Sequence, residues 1–458
     1  MEQLARFELT FGSHGTFSYS SGWDDFKKSF DKGLLDLQRT NCNYRYDCKS
    51  SVHWFMDQLT EDDLKGITKV NVNSSSDHFS SQVFVGLFRK LNPANLLELY
   101  LGNNHSWNKS LDPEERRYMT HIFRIALERG LQIKFIHAHE SDLDDGMAIR
   151  DYLASPFSKI EFLNILQSKC SNWIPVMEGI NHSISTLKKL YIDLFRLSED
   201  AKLIYLEFLK NTDLLEDIDI QWPLGDEYFS HMCNAMIENP TKPFRKVRFS
   251  HNKVSSISPL IPLLPYLESL SWSNGIGADF EMALEEMYNL KSLWIGVSGN
   301  YDEPKPGDIT SEQVNILFHR LKSSRNIETI LIYGPNLKGV ESIPSFIREN
   351  RSIRHLYFKK NLDNTVLFSI ADAMISIQSS LRFLSIENHT YHGNIKQIIH
   401  KAKRQRRHLD ALYQDMRENP YPLSNSIQAL GIYLCQELIM ESLPCIAEDF
   451  VLEERMYY

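Results

Sequence analysis

A short pattern of apolar residues recurs along the chain at near-constant spacing. The pattern runs apolar-x-x-apolar-x-apolar, as in "LKKLYI" from Leu187 and "IETILI" from Ile327. Successive copies start about 23 to 37 residues apart and mostly 23 to 29 apart, whereas unrelated chance matches would scatter widely. This period predicts stacked repeat units rather than separate compact domains. The copies start at Ile67, Leu96, Ile133, Ile160, Leu187, Leu215, Phe244, Leu267, Leu290, Ile327, Ile353 and Leu381.

The segments between the copies predict amphipathic helices. Pro113–Gly130 has an acidic first turn, apolar residues at helical spacing and a terminal glycine. Ser311–Asn326 opens with Ser311 as a candidate N-cap, and Asp226–Pro240 and Thr365–Ser380 have the same apolar spacing. Each unit is then a strand, a turn and a helix, and stacking of the units forms one continuous core.

The copies resemble leucine-rich repeats of the longer, helix-bearing kind found in ribonuclease inhibitor and its relatives. "FRKVRFSHNKV" (Phe244–Val254) matches the LxxLxLxxNxL motif throughout, and "LLELYLGNN" and "IRHLYFKKN" match it through the asparagine. The resemblance implies an α/β fold, a leucine-rich-repeat solenoid (horseshoe) of about 12 strand-helix repeats. It also implies a buried side chain that bonds to the backbone of each turn. Asn104, Asn252 and Asn361 hold that position, Ser141, Ser168 and Ser298 are shorter substitutes, and Phe195, Pro223, Gly275 and Pro335 depart from it.

The two ends of the chain differ from the middle and predict caps. Residues 1–60 are assigned to an N-terminal cap, with a hairpin in "FELTFGSHGTFSYSS" and a helix over Trp23–Gln38. The solenoid covers residues 61–395. Residues 396–458 form a C-terminal helical region that ends in an acidic tail.

Composition and charge narrow the classes of partner and location. The net charge of −9 argues against a general nucleic-acid binder, which needs a basic surface. No apolar run is long enough for a membrane span, and the first residues lack the basic-then-apolar order of a signal peptide. The six cysteines are sparse and form no CxxC pair, which fits a reducing compartment.

The residues between the core positions are predicted to line the concave face of the sheet and to bind a protein partner. Recurrent aromatic residues there match the composition of protein-binding hot spots, although the β-propensity of aromatics accounts for part of the enrichment. Asp193, Asp217 and Asp219 precede Lys246 and Arg248, an order that either steers a complementary partner or consists of ordinary solvated charges. The predicted partner-binding residues are Tyr100, Phe135, His137, Phe162, Tyr191, Asp193, Asp217, Asp219, Lys246, Arg248, Trp294, Tyr333, Tyr357, Lys359 and Phe383.

Motifs for chemistry are weak in this sequence. His137 and His139 alternate onto one face with Asp142 nearby, but no further ligand follows at a defined spacing, so we predict no metal, no cofactor and no catalytic residue. No GxSxG or P-loop motif appears. The run "KAKRQRR" (Lys401–Arg407) resembles a nuclear-localisation or anion-binding patch, but an exposed basic helix face is the commoner explanation.

These patterns favour a non-enzymatic module for protein–protein interaction. The final segment gathers Glu448, Asp449, Glu453 and Glu454 beside apolar and aromatic residues. It resembles the glutamate-rich translocation signals of effectors that bacteria such as Legionella deliver by type IV secretion. That resemblance implies export by a non-classical route into the host cytoplasm and a host protein as partner. A eukaryotic cytoplasmic adaptor or inhibitor, or an enzyme whose catalytic part lies in the C-terminal segment, remain alternatives.

Overall fold

The repeats of this chain form one continuous sheet. The computed structural model describes residues 34–38, 60–62, 64–74, 81–103, 118–138, 141–194, 196–221, 225–250, 254–273, 277–296, 309–333, 339–358, 362, 364–375, 380–381 and 383–386. The predicted hairpin, the C-terminal helices, the basic run and the acidic tail lie outside these residues.

The described strands build a 13-stranded, all-parallel, open sheet whose strand order is the chain order. This is the stacked array that the period predicts and the α/β leucine-rich-repeat solenoid that the resemblance implies, with β1 and β13 at its edges. The strands are β1 (Leu34–Gln38), β2 (Lys69–Ser74), β3 (Leu96–Asn103), β4 (Gln132–His137), β5 (Phe162–Asn164), β6 (Lys189–Asp193), β7 (Asp217–Gln221), β8 (Lys246–Ser250), β9 (Ser269–Trp272), β10 (Ser292–Ile295), β11 (Thr329–Ile332), β12 (His355–Phe358) and β13 (Phe383–Ile386).

Helices cover one side of the sheet, and each packs against the next along the chain. Because packed helices need 8–10 Å and paired strands only about 4.8 Å, the helical side is the longer one and the sheet lies inside the bend. The helices are α1 (Ser81–Lys90), α2 (Tyr118–Arg129), α3 (Met147–Leu153), α4 (Trp173–His182), α5 (Glu199–Asn211), α6 (Asp226–Glu238), a 3₁₀ helix (Ser258–Tyr266), α7 (Ala278–Glu286), α8 (Ser311–Leu321), α9 (Ser342–Glu349) and α10 (Asn364–Ile375).

The repeated apolar positions form the core between the sheet and the helices. In the copy that starts at Leu215, for example, Leu215, Ile218 and Ile220 are all 0% exposed. The copy at Leu96 departs from the template, because Leu96 is 42% exposed and Leu97 takes the buried position. A register shift lies between Leu97 and Glu98 in the pairing of β3 with β4 and accompanies this change.

Two local predictions are wrong. Leu34–Gln38 is a strand that pairs in parallel with β2, so the helix predicted over Trp23–Gln38 is wrong for these five residues. The sheet therefore begins inside the segment assigned to the N-terminal cap; the rest of that assignment stays a prediction. Helix α8 is capped by Thr310 and not by Ser311, and Thr310 forms a capping box with Gln313.

Serine side chains bond to the backbone of the turns that follow β4 and β5, as the resemblance implies. The Ser141 hydroxyl donates to the Ala138 carbonyl at 3.1 Å, and the Ser168 hydroxyl donates to the same carbonyl at 3.3 Å. The Ser168 oxygen also accepts from the Ser141 amide at 3.2 Å. The other predicted turn residues, Asn104, Asn252, Asn361 and Ser298, lie outside the described residues, as do Phe195, Pro223, Gly275 and Pro335.

Two buried asparagine side chains each connect the end of a helix to the preceding repeat. The repeat motif in the sequence did not reveal them. Asn239 caps α6, and its amide nitrogen donates to the carbonyls of Leu209 and Thr212 at 2.9 and 2.7 Å. Its amide oxygen accepts from the backbone of Thr241 and Lys242 at 2.9 and 3.0 Å. Asn350, at the end of α9, makes the equivalent bonds four helix–strand units further along the chain, and both asparagines are 1% exposed. These side chains satisfy loop backbone that is buried away from water.

We predict that Asn239→Ala destabilises the solenoid by about 2–4 kcal/mol, because it leaves several buried backbone groups without partners. Thermal and urea unfolding of the purified chain measures this loss. The matched control is Asn234→Ala, an exposed position on the same helix, for which we expect a change within about 0.5 kcal/mol. An Asn239 variant as stable as the control would contradict this role.

Candidate functional site on the concave face

The strand register aligns the predicted partner-binding residues in rows across the concave face. One row contains Tyr191, Asp219, Arg248, Ser271, Trp294, Leu331 and Tyr357, on β6 to β12. The adjacent row contains Phe135, Phe162, Lys189, Asp217, Lys246, Ser269, Ser292, Thr329 and His355. Residues from separate repeats are therefore direct neighbours, as alternation along a parallel sheet requires.

An aromatic cluster covers the sheet at β4 to β6. The Phe162 ring is 4.3 Å from the Phe135 ring and meets the Tyr191 ring edge-on at 5.0 Å between centroids. These neighbours leave Phe162 only 7% exposed, so the expectation that it lies open to a partner is wrong. Phe135 and Tyr191 are half-buried and retain surface for contact. Next to them, the Nδ1 atom of His137 lies 3.0 Å from the Asn164 amide nitrogen.

Arg248 occupies the centre of the face, between two aromatic rings. Its guanidinium carbon lies 5.6 Å from the centre of the Tyr191 ring and 5.3 Å from that of Trp294, both within cation–π range. Tyr191 lies two strands to one side and Trp294 two strands to the other. Ser271, on β9 between Arg248 and Trp294, is small enough to leave the room that this contact needs. All three residues were predicted to lie on this face, but their mutual contact was not, since they come from three different repeats.

The three aspartates predicted to be an open acidic strip are buried. Asp193, Asp217 and Asp219 are 0%, 4% and 6% exposed, so neither a partner-facing strip nor solvated charges describes them. The Asp193 carboxyl accepts a hydrogen bond from the backbone amide of Gln167 at 2.6 Å and so fixes the turn after β5. Asp217 accepts the Tyr191 hydroxyl at 3.1 Å, and Asp219 lies 3.6 Å from an Arg248 nitrogen. Each carboxyl also has one buried oxygen without a hydrogen-bond partner among the described residues.

Burial changes the protonation of this cluster. It raises the pKa of Asp219 to about 7, since desolvation and the neighbouring Asp217 and Asp193 outweigh the opposing effect of Arg248. Burial likewise raises the pKa of Asp193 to about 6, against the Gln167 hydrogen bond. The pKa of Tyr191 is raised above its ordinary value by burial and then by Asp217, so its phenol stays protonated and donates to that carboxylate.

The remaining predicted residues differ in how far their side chains are buried. Trp294, Tyr333 and Tyr357 are half-buried, with ring surface available on the concave side, and the Trp294 indole donates to the Ser292 hydroxyl at 3.1 Å. Tyr357 stacks near His355 at 6.5 Å between centroids. Tyr100 and Phe383 lie in β3 and β13, but their side chains are outside the described residues, and so is Lys359. A role of any of these residues in binding stays a prediction.

Groups for catalysis or metal binding are sparse in the part of the chain that the structure describes. No three histidine, cysteine, aspartate or glutamate side chains are placed there to hold a metal ion, and His139 lies outside it. Burial raises the pKa of the Cys170 thiol to about 11, which keeps it protonated. None of the described helices has the length and apolarity needed to cross a bilayer.

Comparison with known proteins gives a likeness of fold. No protein-family model matches the chain, and no curated protein matches its sequence. The crystal structure of the mouse RP105/MD-1 complex is similar over 74% of this chain and 66% of that chain, at 12% sequence identity and a TM-score of 0.32. The chain thus spans just under two thirds of that chain's length, and a likeness this distant transfers no site and no partner.

We predict that Asp219→Asn stabilises the protein relative to the wild type as pH rises. Because the folded pKa of Asp219, about 7, exceeds that of an unfolded aspartate, the folded state binds the proton more tightly and loses stability between about pH 4 and pH 7. The asparagine variant lacks this loss, so its advantage should grow by on the order of 2 kcal/mol between pH 5 and pH 8. Chemical unfolding at both pH values measures the difference. The control, Asp213→Asn at an exposed position, should show no such growth; an equal pH trend in both variants would refute a raised pKa at Asp219.

Proposed function

We propose that this chain is a non-enzymatic protein-binding module and that the centre of its concave face is the docking surface. The supporting observation is the cluster of half-buried Tyr191, Arg248 and Trp294 in register on one open sheet face. Tyrosine, tryptophan and arginine dominate the binding energy of protein interfaces. Here each is already held by its neighbours, so docking orders few additional side chains.

The fold supports the same proposal, because a solenoid presents a long, continuous inner surface built on rigid strands. Trp294 and Tyr357 lie in one row two strands apart, about 10 Å, with the buried Leu331 on the strand between them. The two half-buried rings are therefore close enough for one partner to contact both. Strand-borne positions of this kind hold side chains more firmly than loops do.

We predict that Trp294→Ala combined with Tyr357→Ala abolishes capture of the partner while the fold stays intact. Each hot-spot aromatic contributes about 2 kcal/mol or more, so the double variant should bind about a thousandfold more weakly or worse. Affinity purification from host-cell lysate with quantitative mass spectrometry measures which proteins are lost from the variant. Circular dichroism and thermal unfolding confirm that the variant folds.

The matched control is Tyr266→Ala combined with Tyr288→Ala. These tyrosines are 42% and 57% exposed and precede strands β9 and β10 in the sequence. Tyr266 is the last residue of the 3₁₀ helix and Tyr288 follows α7, so neither lies on the concave face. The control should capture the same proteins as the wild type. Unchanged capture by the concave-face variant, or equal loss in the control, would remove the concave face as the docking site.

We further propose that the protein is a bacterial effector that acts on a host protein in the host cytoplasm. The support is the acidic and aromatic composition of the final segment, with Glu448, Asp449, Glu453 and Glu454. This proposal is independent of the docking surface, since a eukaryotic cytoplasmic adaptor with the same fold could use the same concave face.

A translocation assay tests the delivery route. A reporter fused to the full chain should appear in host cells only when the bacterium has a functional type IV secretion system, and removal of the last 20 residues should abolish the signal. Substitution of the four acidic residues by alanine should reduce it strongly. As a control, replacement of exposed acids on the solenoid, Glu199 and Glu227, should leave delivery unchanged. Delivery that persists without the tail, or absence of delivery from the full chain, would favour the adaptor.

A further inference from the structure

The charged groups that a partner can reach at the centre of the concave face are positive. Lys189 and Lys246 are exposed, and the Arg248 side chain is 32% exposed. Asp217 and Asp219, on the strand between Lys189 and Lys246, are only 4% and 6% exposed. The acidic half of the predicted charge order is therefore buried, whereas its basic half, Lys246 and Arg248, stays accessible together with Lys189.

The two lysines also lack the pairing that neutralises other lysines of the sheet. At the start of the strands, Lys188 pairs with Glu161 and Lys291 with Glu268, each at 2.9 Å. The pKa of Glu268 is lowered chiefly by its hydrogen bond from Lys291, and the charge of Lys246 adds a smaller effect from further away. Among the described residues, neither Lys189 nor Lys246 has a carboxylate oxygen within the 4.0 Å of an ion pair. Each ammonium group therefore presents hydrogen-bond donors to solvent on the concave side.

Arg248 adds a donor group with a fixed orientation. Its only ion pair among the described residues is the 3.6 Å contact with Asp219, which is too long for a good hydrogen bond. Tyr191 and Trp294 hold the guanidinium from both sides. An arginine held in this way suits bidentate pairing with a carboxylate.

We propose that this basic shelf, made of Lys189, Lys246 and Arg248 between Tyr191 and Trp294, binds an acidic segment of the partner protein. The inference rests on the proposed function and specifies the chemistry of the partner.

The spacing of the two lysines sets the spacing of the acidic residues that they can pair with. In register, Lys189 and Lys246 flank Asp217 on the strands to either side, so their backbone positions are about 10 Å apart. An extended peptide spans that distance in about three residues. The partner segment therefore carries carboxylates three positions apart when it lies across the strands, with aromatic or apolar residues between them for Tyr191 and Trp294.

Nucleic acid is the other polyanion that a basic, aromatic surface could take, and the structure favours the peptide. The shelf has three cations, whereas useful nucleic-acid affinity comes from many phosphate contacts. The chain as a whole carries a net charge of −9, which repels a long polyanion. A short acidic segment makes its contacts locally and is less affected by the distant charges, which salt screens.

A random twelve-residue peptide library displayed on phage tests the inference with the full-length chain as bait. We expect peptides enriched on the wild type to be acidic, with Asp or Glu three positions apart and an aromatic residue between or beside them. For the strongest peptide, fluorescence anisotropy should show binding that weakens about tenfold in Lys189→Glu combined with Lys246→Glu, and about threefold with glutamine at both positions. Binding should also weaken severalfold between 50 and 300 mM NaCl, because the contacts are exposed charges.

The matched control reverses two exposed lysines outside the shelf, Lys65→Glu with Lys159→Glu, and should leave the peptide affinity unchanged. Enrichment of basic or neutral peptides on the wild type would overturn the inference. So would equal weakening in the control, or a fluorescent twenty-residue oligothymidine that binds the shelf more tightly than the acidic peptide does.

The same reagents separate failure of the inference from failure of the proposed function. If Trp294→Ala with Tyr357→Ala abolishes capture of the lysate partner but the charge-reversed shelf captures it fully, the docking face stands and the acidic segment is refuted. If neither variant changes capture, both proposals fail. If both variants lose capture, and the captured protein binds through a segment with paired acidic residues, both stand.

Discussion

Burial of three apolar side chains per repeat holds the register on which every other feature of the sheet depends. Side chains alternate along a strand, so a slip of one residue would exchange the core and concave sets. In β8 such a slip would drive Lys246 and Arg248 into the core and expose Val247 and Phe249, both of which are 0% exposed. Each buried side chain of this size contributes about 1.5–3 kcal/mol, and an unpaired charge in the core costs more. The concave surface is therefore fixed by residues that no partner contacts.

The sequence predicted the repeats because the core positions carry a simple pattern, and it failed where that pattern is locally ambiguous. β1 has Leu35 and Leu37 in register with Val70 and Val72, but a lysine, Lys32, stands at its first apolar position, so the template missed it. In β3 the template fits from Leu96, but the pairing with β4 shifts register after Leu97, so that Leu97 and not Leu96 is buried. The buried asparagines escaped notice for a different reason. Asn239 and Asn350 act through backbone carbonyls of the preceding repeat, and no spacing within their own repeat marks those partners.

The sequence predicted which face of the sheet carries the candidate site, but not how deeply each side chain is buried. Alternation gave the correct face for Tyr191, Asp219, Arg248 and Trp294. The burial of a side chain depends on the size of its neighbours one and two strands away. Predicting it therefore requires the register of several repeats at once. A long arginine beside the small Ser271 reaches Trp294 and, with Tyr191, covers Asp219. Charge order along the chain therefore predicted the basic residues on the accessible surface correctly and the exposure of the aspartates wrongly.

The buried aspartates influence the concave surface although they are not exposed on it. A free arginine loses about 2 kcal/mol of rotamer entropy when a partner fixes it, and Arg248 is already restricted by Tyr191, Trp294 and the carboxyl of Asp219. Removal of Asp219 from water is costly, as its raised pKa shows, and the stability of the surrounding core offsets that cost. A partner carboxylate would share Arg248 with Asp219, which is only partly ionised near neutral pH. Asp219 therefore competes less strongly for Arg248 than an exposed aspartate would. The arrangement gives up some stability at the centre of the sheet and holds a cation ready at the point where the aromatic surface is widest.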